Sequence, residues 1–185
     1  MLLGLVVEGK YDAAVYEALV QRIVPRIDLR VRQCHLMEIN GICKDLAVVG
    51  VGKALIIRDL DKYQPDNLIA KVKRQVNVDG IQLGIAIAIH ELESWLLCDV
   101  DAVNRVCEKR GRYCDKPIIM APLPESPDRL LNPKEVLKNH LSKCGIGYTS
   151  SVAADIAKYA DIAILERESP SFRKFKQILL DLIRE

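Results

Sequence analysis

The chain has 185 residues, 50% of them apolar, enough to bury one substantial core and too apolar for a disordered chain. Its 27 Lys plus Arg against 25 Asp plus Glu leave a net charge of +2, so no global electrostatic pull toward nucleic acid or an anionic membrane operates and any basic surface is local. No stretch approaches the roughly 18 apolar residues of a membrane span, and MLLGLVVEGK has too short an apolar run and no basic lead for a secretory signal, so the sequence reads as soluble and cytoplasmic.

The first hundred residues alternate strand-like and helix-like segments, the pattern of an α/β domain with a mainly parallel sheet flanked by helices. A strand is expected over 2–7, then a helix over 12–23 with Val15, Leu19 and Ile23 on one stripe and Asp12 near its start. A strand over 28–36 and a helix from Asn40 to about Val49 follow, and Gly50 and Gly52 turn the chain into a strand over 54–58. A helix over 66–75 leads to a strand over 81–89. Beyond residue 100 the pattern is a helical C-terminal extension, packed on the core as one compact unit over 101–185. Pro117, Pro122, Pro124, Pro127 and Pro133 mark a surface loop within it, and helices are expected over 133–143, 150–166 and 170–184, the last opened by Ser169 and Pro170. The cysteines at 34, 43, 98, 107, 114 and 144 contain no CxxC pair, so they read as reduced thiols and not as a zinc site, with a Cys107–Cys114 disulfide as the alternative.

Carboxylates follow three of the expected strands: Glu8 after LLGLVV, Asp59 and Asp61 after ALII, and Glu91 and Glu93 after GIAIAIH. Parallel strands joined by crossovers share one carboxyl edge, and ligands bind in the crevice beyond it. Two unit charges about 4 Å apart repel by roughly 4 kcal/mol at an effective dielectric of about 20, so such a cluster calls for a cation, and oxygen ligands suit Mg²⁺ or Mn²⁺. Asp59 and Asp61 lie two apart and face one side of extended backbone, although turn and capping residues also give a DxD. Glu8, with Gly9 allowing a tight turn, reads equally as a general acid or base and as a first-turn carboxylate. Glu91 and Glu93 cannot share a helical face, so one of them, Glu93 by preference, reaches the metal, while His90 reads as a helix-start residue. Ser94 stands where an HExxH zinc motif would need its second His. GVGK at 50–53 lacks the upstream Gly of a P-loop and precedes a strand. Lys10, Arg58, Lys62, Arg105, Arg110 and Arg112 are the candidate phosphate contacts, a solvated helix face being the plainer reading of the 105–112 run.

The combination VVEGKYD, LIIRDLD and HELESWLLCD resembles the Toprim fold of topoisomerases, bacterial primases and overcoming-lysogenisation-type nucleases, and within it the small stand-alone Toprim-like proteins. The likeness rests on Glu8 and Gly9, Asp59 and Asp61, and Glu93, Trp95, Leu96 and Asp99; it covers residues 1–100, and the tail through SPSFRKFKQIL more weakly. It implies a Rossmann-like catalytic domain in which Glu8 acts as general acid or base and Asp59 and Asp61 hold Mg²⁺ during phosphodiester breakage or joining. A topoisomerase or primase needs further modules, so hydrolysis of DNA or RNA is the expected activity, with phage defence as a setting and an ATPase as a possible partner. The tail departs from such relatives in one place, because Tyr148 is followed by Thr149, Ser150 and Ser151 where a Lys is usual, and Lys143 or Lys158 would have to replace it. Two other readings stay open: a noncatalytic module that binds nucleic acid or a partner, and a haloacid-dehalogenase-like phosphatase with Asp59 as nucleophile.

Overall fold

A computed structural model of the chain describes residues 1–9, 12–60, 63–89, 91–111, 119–123 and 126–184. Among them four strands, β1 (Leu2–Val7), β2 (Asp28–Gln33), β3 (Lys53–Asp59) and β4 (Gln82–Ala88), form one all-parallel sheet in the order β2-β1-β3-β4. Helices α1 (Ala13–Ile23), α2 (Ile39–Val48) and α3 (Pro65–Gln75) make the crossovers. The apolar runs LGLVV and ALII form strands because both faces of the two central strands are covered, which favours continuous hydrophobic runs over alternation.

Side chains alternate between two cores. Val6, Ala54, Ile56 and Ile85 meet α2 and α3 on one face, and Gly4 lets α2 approach so closely that a Cβ there would lie 2.9 Å from Leu46. Leu3, Leu5, Val7, Leu55, Ile57 and Ala86 point to the other face, which the C-terminal helices share with α1. There α9 (Pro170–Arg184) crosses β4 at Gly84, where a Cβ would lie 3.0 Å from Ile178. α7 (Ser150–Tyr159) packs on α1, so the helical tail completes one face of the sheet.

Two boundaries differ from expectation. β2 ends at Gln33, short of 36, because His35 donates its backbone N–H to Glu38 at 2.8 Å and opens a 3₁₀ turn, Leu36–Glu38, ahead of α2. The helix expected over 150–166 is two, α7 and α8 (Ile162–Glu168), broken at Ala160. Asp161 caps α8 through Ala163 N–H at 2.8 Å, and its own N–H donates to Asp99 at 2.7 Å, so a cap and a tertiary bond outweigh a continuous apolar stripe. The proline-rich stretch is not wholly superficial. Pro127 and Pro133 are buried, in a 3₁₀ turn (Pro127–Arg129) and in the first turn of α6 (Pro133–Lys143), while Pro117 and Pro124 lie outside the described residues.

The short helix α4 (Glu93–Leu96) carries Trp95 into an aromatic cluster with Tyr16, Phe172 and Phe175, at ring-centroid distances of 5.8, 5.3 and 5.0 Å, and its indole N–H donates to Ser171 Oγ at 2.7 Å. Ser171 and Ser169 in turn donate to Asp128, which accepts Ser169 Oγ–H at 2.8 Å and the Ser171 backbone N–H at 3.0 Å, and Ser169 Oγ caps α9 by accepting Phe172 N–H at 3.0 Å. Asp128→Ala leaves several buried donors without this acceptor, at about 1–3 kcal/mol for each group stranded. Urea unfolding should therefore show a loss of about 3 kcal/mol, with Asp128→Asn, which keeps one carbonyl acceptor, losing clearly less.

Candidate functional site

Strand order reverses between β1 and β3: the chain passes from β1 outward to β2, then back across β1 to β3 and on to β4. Adjacent crossovers diverge there, opening a crevice beyond the carboxyl ends of those two strands. Glu8 follows β1 and Asp59 ends β3, so the fold delivers both carboxylates to that opening. Arg58, one residue before Asp59 and only 4% exposed, pairs its guanidinium with Glu8 at 2.7 Å and donates to the Cys34 carbonyl at 3.0 Å. A buried guanidinium held by two acceptors orients Glu8 and is not presented to solvent, so Arg58 belongs to the crevice wall and not to a phosphate-binding surface.

Glu93 reaches the same crevice from the first turn of α4 and is 2% exposed. Two groups from the tail meet it: the Lys134 ammonium at 3.3 Å and the Tyr148 hydroxyl, which donates at 2.5 Å. Glu91 does not share that position; it accepts the Lys134 backbone N–H at 3.2 Å and fixes the start of α6. The partial burial of Lys134 works against its charge, but the charge and hydrogen bond of Glu93, then Glu91 and Asp12, outweigh it and hold its pKa above the ordinary value. Burial, then the charge and hydrogen bond of Glu93, push the Tyr148 phenol far up, so it stays a donor.

Asp12 joins this group. It stands at the N-terminus of α1 without capping it through its side chain, and its carboxylate lies over Gly9, where a Cβ would fall 2.1 Å from Oδ2. Its pKa is raised, first by burial, then by Glu93, with Glu8 and Glu91 adding and Lys134 opposing. Beneath them the buried phenol of Tyr16 is pushed well up by burial and then by Asp59, Asp12, Glu93 and Glu8, so one side chain registers all four carboxylates.

The donors fit a hard cation by type. Mg²⁺ commonly takes one or two protein carboxylates and completes its octahedron with water and phosphate oxygens, a role Asp59 and Glu93 could fill. Among the described residues, however, the acidic side chains supply no set of three whose oxygens lie within 4.8 Å of one another. Asp61, Lys10, Lys62, Arg112 and His90 lie outside the described residues. Arg105 and Arg110 are engaged by α7: Arg105 stacks on the Tyr159 ring at 4.6 Å and Arg110 pairs with Asp155, which is the helix-face reading of that run. Lys158 likewise binds Asp155 at 3.2 Å, and the cation that pairs with Glu93 is Lys134. Asp99 caps α5 (Val100–Arg110) through the N–H groups of Asp101 and Ala102 at 3.2 and 3.3 Å and ties that end to α8.

Asp12, Lys134 and Tyr148 escaped the sequence reading as site residues. Asp12 reads as an ordinary cap, and Lys134 lies 41 residues from Glu93, just after the proline-rich segment; its one local signal is its place in the first helical turn after Asn132-Pro133. A carboxyl whose folded-state pKa is raised destabilises the fold in its ionised form. Stability contributed by Asp12 is thus present at low pH and lost as pH rises from the ordinary value of 3.8 through the raised one. In chelator-treated protein, Asp12→Asn should raise the urea midpoint at pH 7 and flatten that fall; a lower midpoint would refute the assignment.

Neither the curated proteins nor the solved structures contain a match to this chain. A protein-family comparison matches residues 49–180, from just before β3 into α9, to a domain of unknown function, DUF4276. That span takes in Asp59, Glu91, Glu93, Lys134 and Tyr148, with Glu8 and Asp12 outside it. Because the match covers more than two thirds of its length, the chain belongs to the DUF4276 family.

Proposed function

We propose that this protein is a metal-dependent phosphodiester hydrolase, a nuclease of Toprim type acting on DNA or RNA. The observation that carries the reading is the placement of Glu8 and Asp59 at the switch point of a parallel sheet, around the same Tyr16 as a buried Glu93 that already holds a cationic side chain. Acid and base groups gathered with a cation in a crevice are what phosphoryl chemistry requires. Mg²⁺ or Mn²⁺, held by Asp59 and Glu93 with Asp61 as a further donor, would supply charge to phosphate oxygens and acidify a water.

The chain's own groups divide the remaining work. Glu8, oriented by Arg58, takes the proton from the attacking water. Lys134 can leave Glu93 for a phosphate oxygen as negative charge builds there, a shift its flexible stem allows and its raised pKa favours by keeping it charged. Tyr148 holds Glu93 in one orientation throughout. Action in phage defence beside a partner ATPase is the setting that the Toprim resemblance suggests.

A noncatalytic nucleic-acid- or partner-binding module is the second reading, and a specific contact favours it: Glu93 is engaged by the Lys134 ammonium and the Tyr148 hydroxyl, both from the chain itself. Labelled single- and double-stranded DNA and RNA, incubated with Mg²⁺ or Mn²⁺, separate the two. Cleavage by the wild type that vanishes in Asp59→Ala plus Asp61→Ala, with the variant still folded, is expected; binding without cleavage on every substrate would establish the module instead. Lys134→Met should lower the cleavage rate about 10²–10³-fold, the usual cost of removing one transition-state charge partner.

A further inference from the structure

We propose that Cys107, His140 and Cys144 form a buried site for a soft divalent cation, Zn²⁺ above all, that fastens α6 to α5. Cys107 lies near the C-terminal end of α5, His140 in the last turn of α6, and Cys144 directly after that helix. The three residues are 2%, 8% and 2% exposed, and their ligand atoms all lie within 4.8 Å of one another, with His140 Nε2 and Cys144 Sγ 4.0 Å apart. Among the described residues no other group of three His, Cys, Asp or Glu side chains converges so closely.

The geometry suits tetrahedral zinc. Bonds of about 2.3 Å to sulfur and 2.1 Å to nitrogen place ligand atoms roughly 3.5–3.8 Å apart, so the observed separations close with side-chain shifts of about 1 Å. His140 and Cys144 are four residues apart, in the last turn of α6 and at the cap that follows it, and Cys107 meets them from the neighbouring helix. Charge supports it as well. Binding breaks two S–H bonds, forms two metal–thiolate bonds and releases two protons to solvent, so a dication enters an apolar interior with no net charge added. Thiolate and imidazole select Zn²⁺ over Mg²⁺, whereas the oxygen donors of the crevice have the opposite preference, and the two sites are chemically distinct. Three protein ligands leave a fourth position for a further donor.

The placement gives the site a consequence. α6 carries Lys134 at its first turn, and Tyr148 follows four residues after Cys144, so both groups that hold Glu93 flank the segment that the metal would fix. The site itself stands whether or not the crevice cleaves nucleic acid.

The test uses the full chain, stripped of metal under reducing conditions and titrated with Co²⁺ and then Zn²⁺. One equivalent of Co²⁺ should give thiolate-to-cobalt charge-transfer bands in the near ultraviolet and the visible bands of a tetrahedral ion. Equimolar Zn²⁺ should abolish them, and excess Mg²⁺ should not. Zn²⁺ at about 100-fold over Kd should raise Tm by about 5–10 °C. Cys107→Ser plus Cys144→Ser should lose the bands and the shift, while Asp59→Ala should keep both, which separates failure of this site from failure of the crevice. His140→Asn, which retains both thiols, should weaken Co²⁺ binding at least about 10-fold. A wild-type Co²⁺ spectrum without charge-transfer bands overturns the proposal by itself, even if the double variant does not fold, and so do bands that survive in the double variant.

Discussion

A carboxylate at 2% exposure has lost most of its water, and the interior tolerates it only if charge and hydrogen bonds replace that hydration. Glu93 is in that position, and its partners Lys134 and Tyr148 both come from the C-terminal half. The demand for neutralisation therefore reaches across the molecule. It requires α6 to start beside α4, which Glu91 secures by accepting the Lys134 backbone N–H, and it requires the segment after α6 to return to the same place. Removing one partner from such a group strands a buried charge, so the tail is coupled to the crevice electrostatically as well as through packing.

What puts Glu93 there is hydrophobic. α4 is a single turn of four residues, too short to be stable alone, and it is held by Trp95 among Tyr16, Phe172 and Phe175. The indole N–H ends on Ser171, whose own partner is Asp128, so the aromatic anchor continues into a polar network that also caps α9. Glu93 and Trp95 are two residues apart: one enters the crevice as the other locks the helix against α1 and α9. The site and the core are thus two faces of one short element.

The opposite wall follows from sheet topology. In a parallel sheet whose strand order reverses, the two strands at the switch point end beside each other whatever their side chains are. Glu8 and Asp59 inherit that proximity, and Arg58 converts it into a fixed orientation for Glu8. Asp12 completes the wall because Gly9 has no side chain to exclude its carboxylate. The cost of collecting these acids is visible in Asp12 and Tyr16, whose pKa values rise under burial and the surrounding negative charge.

The strands, most of the helices, the parallel sheet and the delivery of Glu8, Asp59 and Glu93 to one edge are legible in the amino-acid order, because continuous apolar runs, helical stripes and turn residues act over a few neighbouring positions. The Ser169-Pro170 start of α9 was legible for the same reason. The partners are settled by how the elements dock. Lys134 meets Glu93 across 41 residues, Arg58 turns inward to Glu8, Arg110 turns to Asp155, and Asp99 bonds Asp161 and so helps to split the stripe of 150–166 into two helices. Cys107 and Cys144 show the limit most plainly: no CxxC spacing announces them, yet two helices bring them together around His140. Local periodicity fixes which face of an element is buried, whereas the choice of charge and ligand partners depends on how separate elements dock, which no short window of sequence contains.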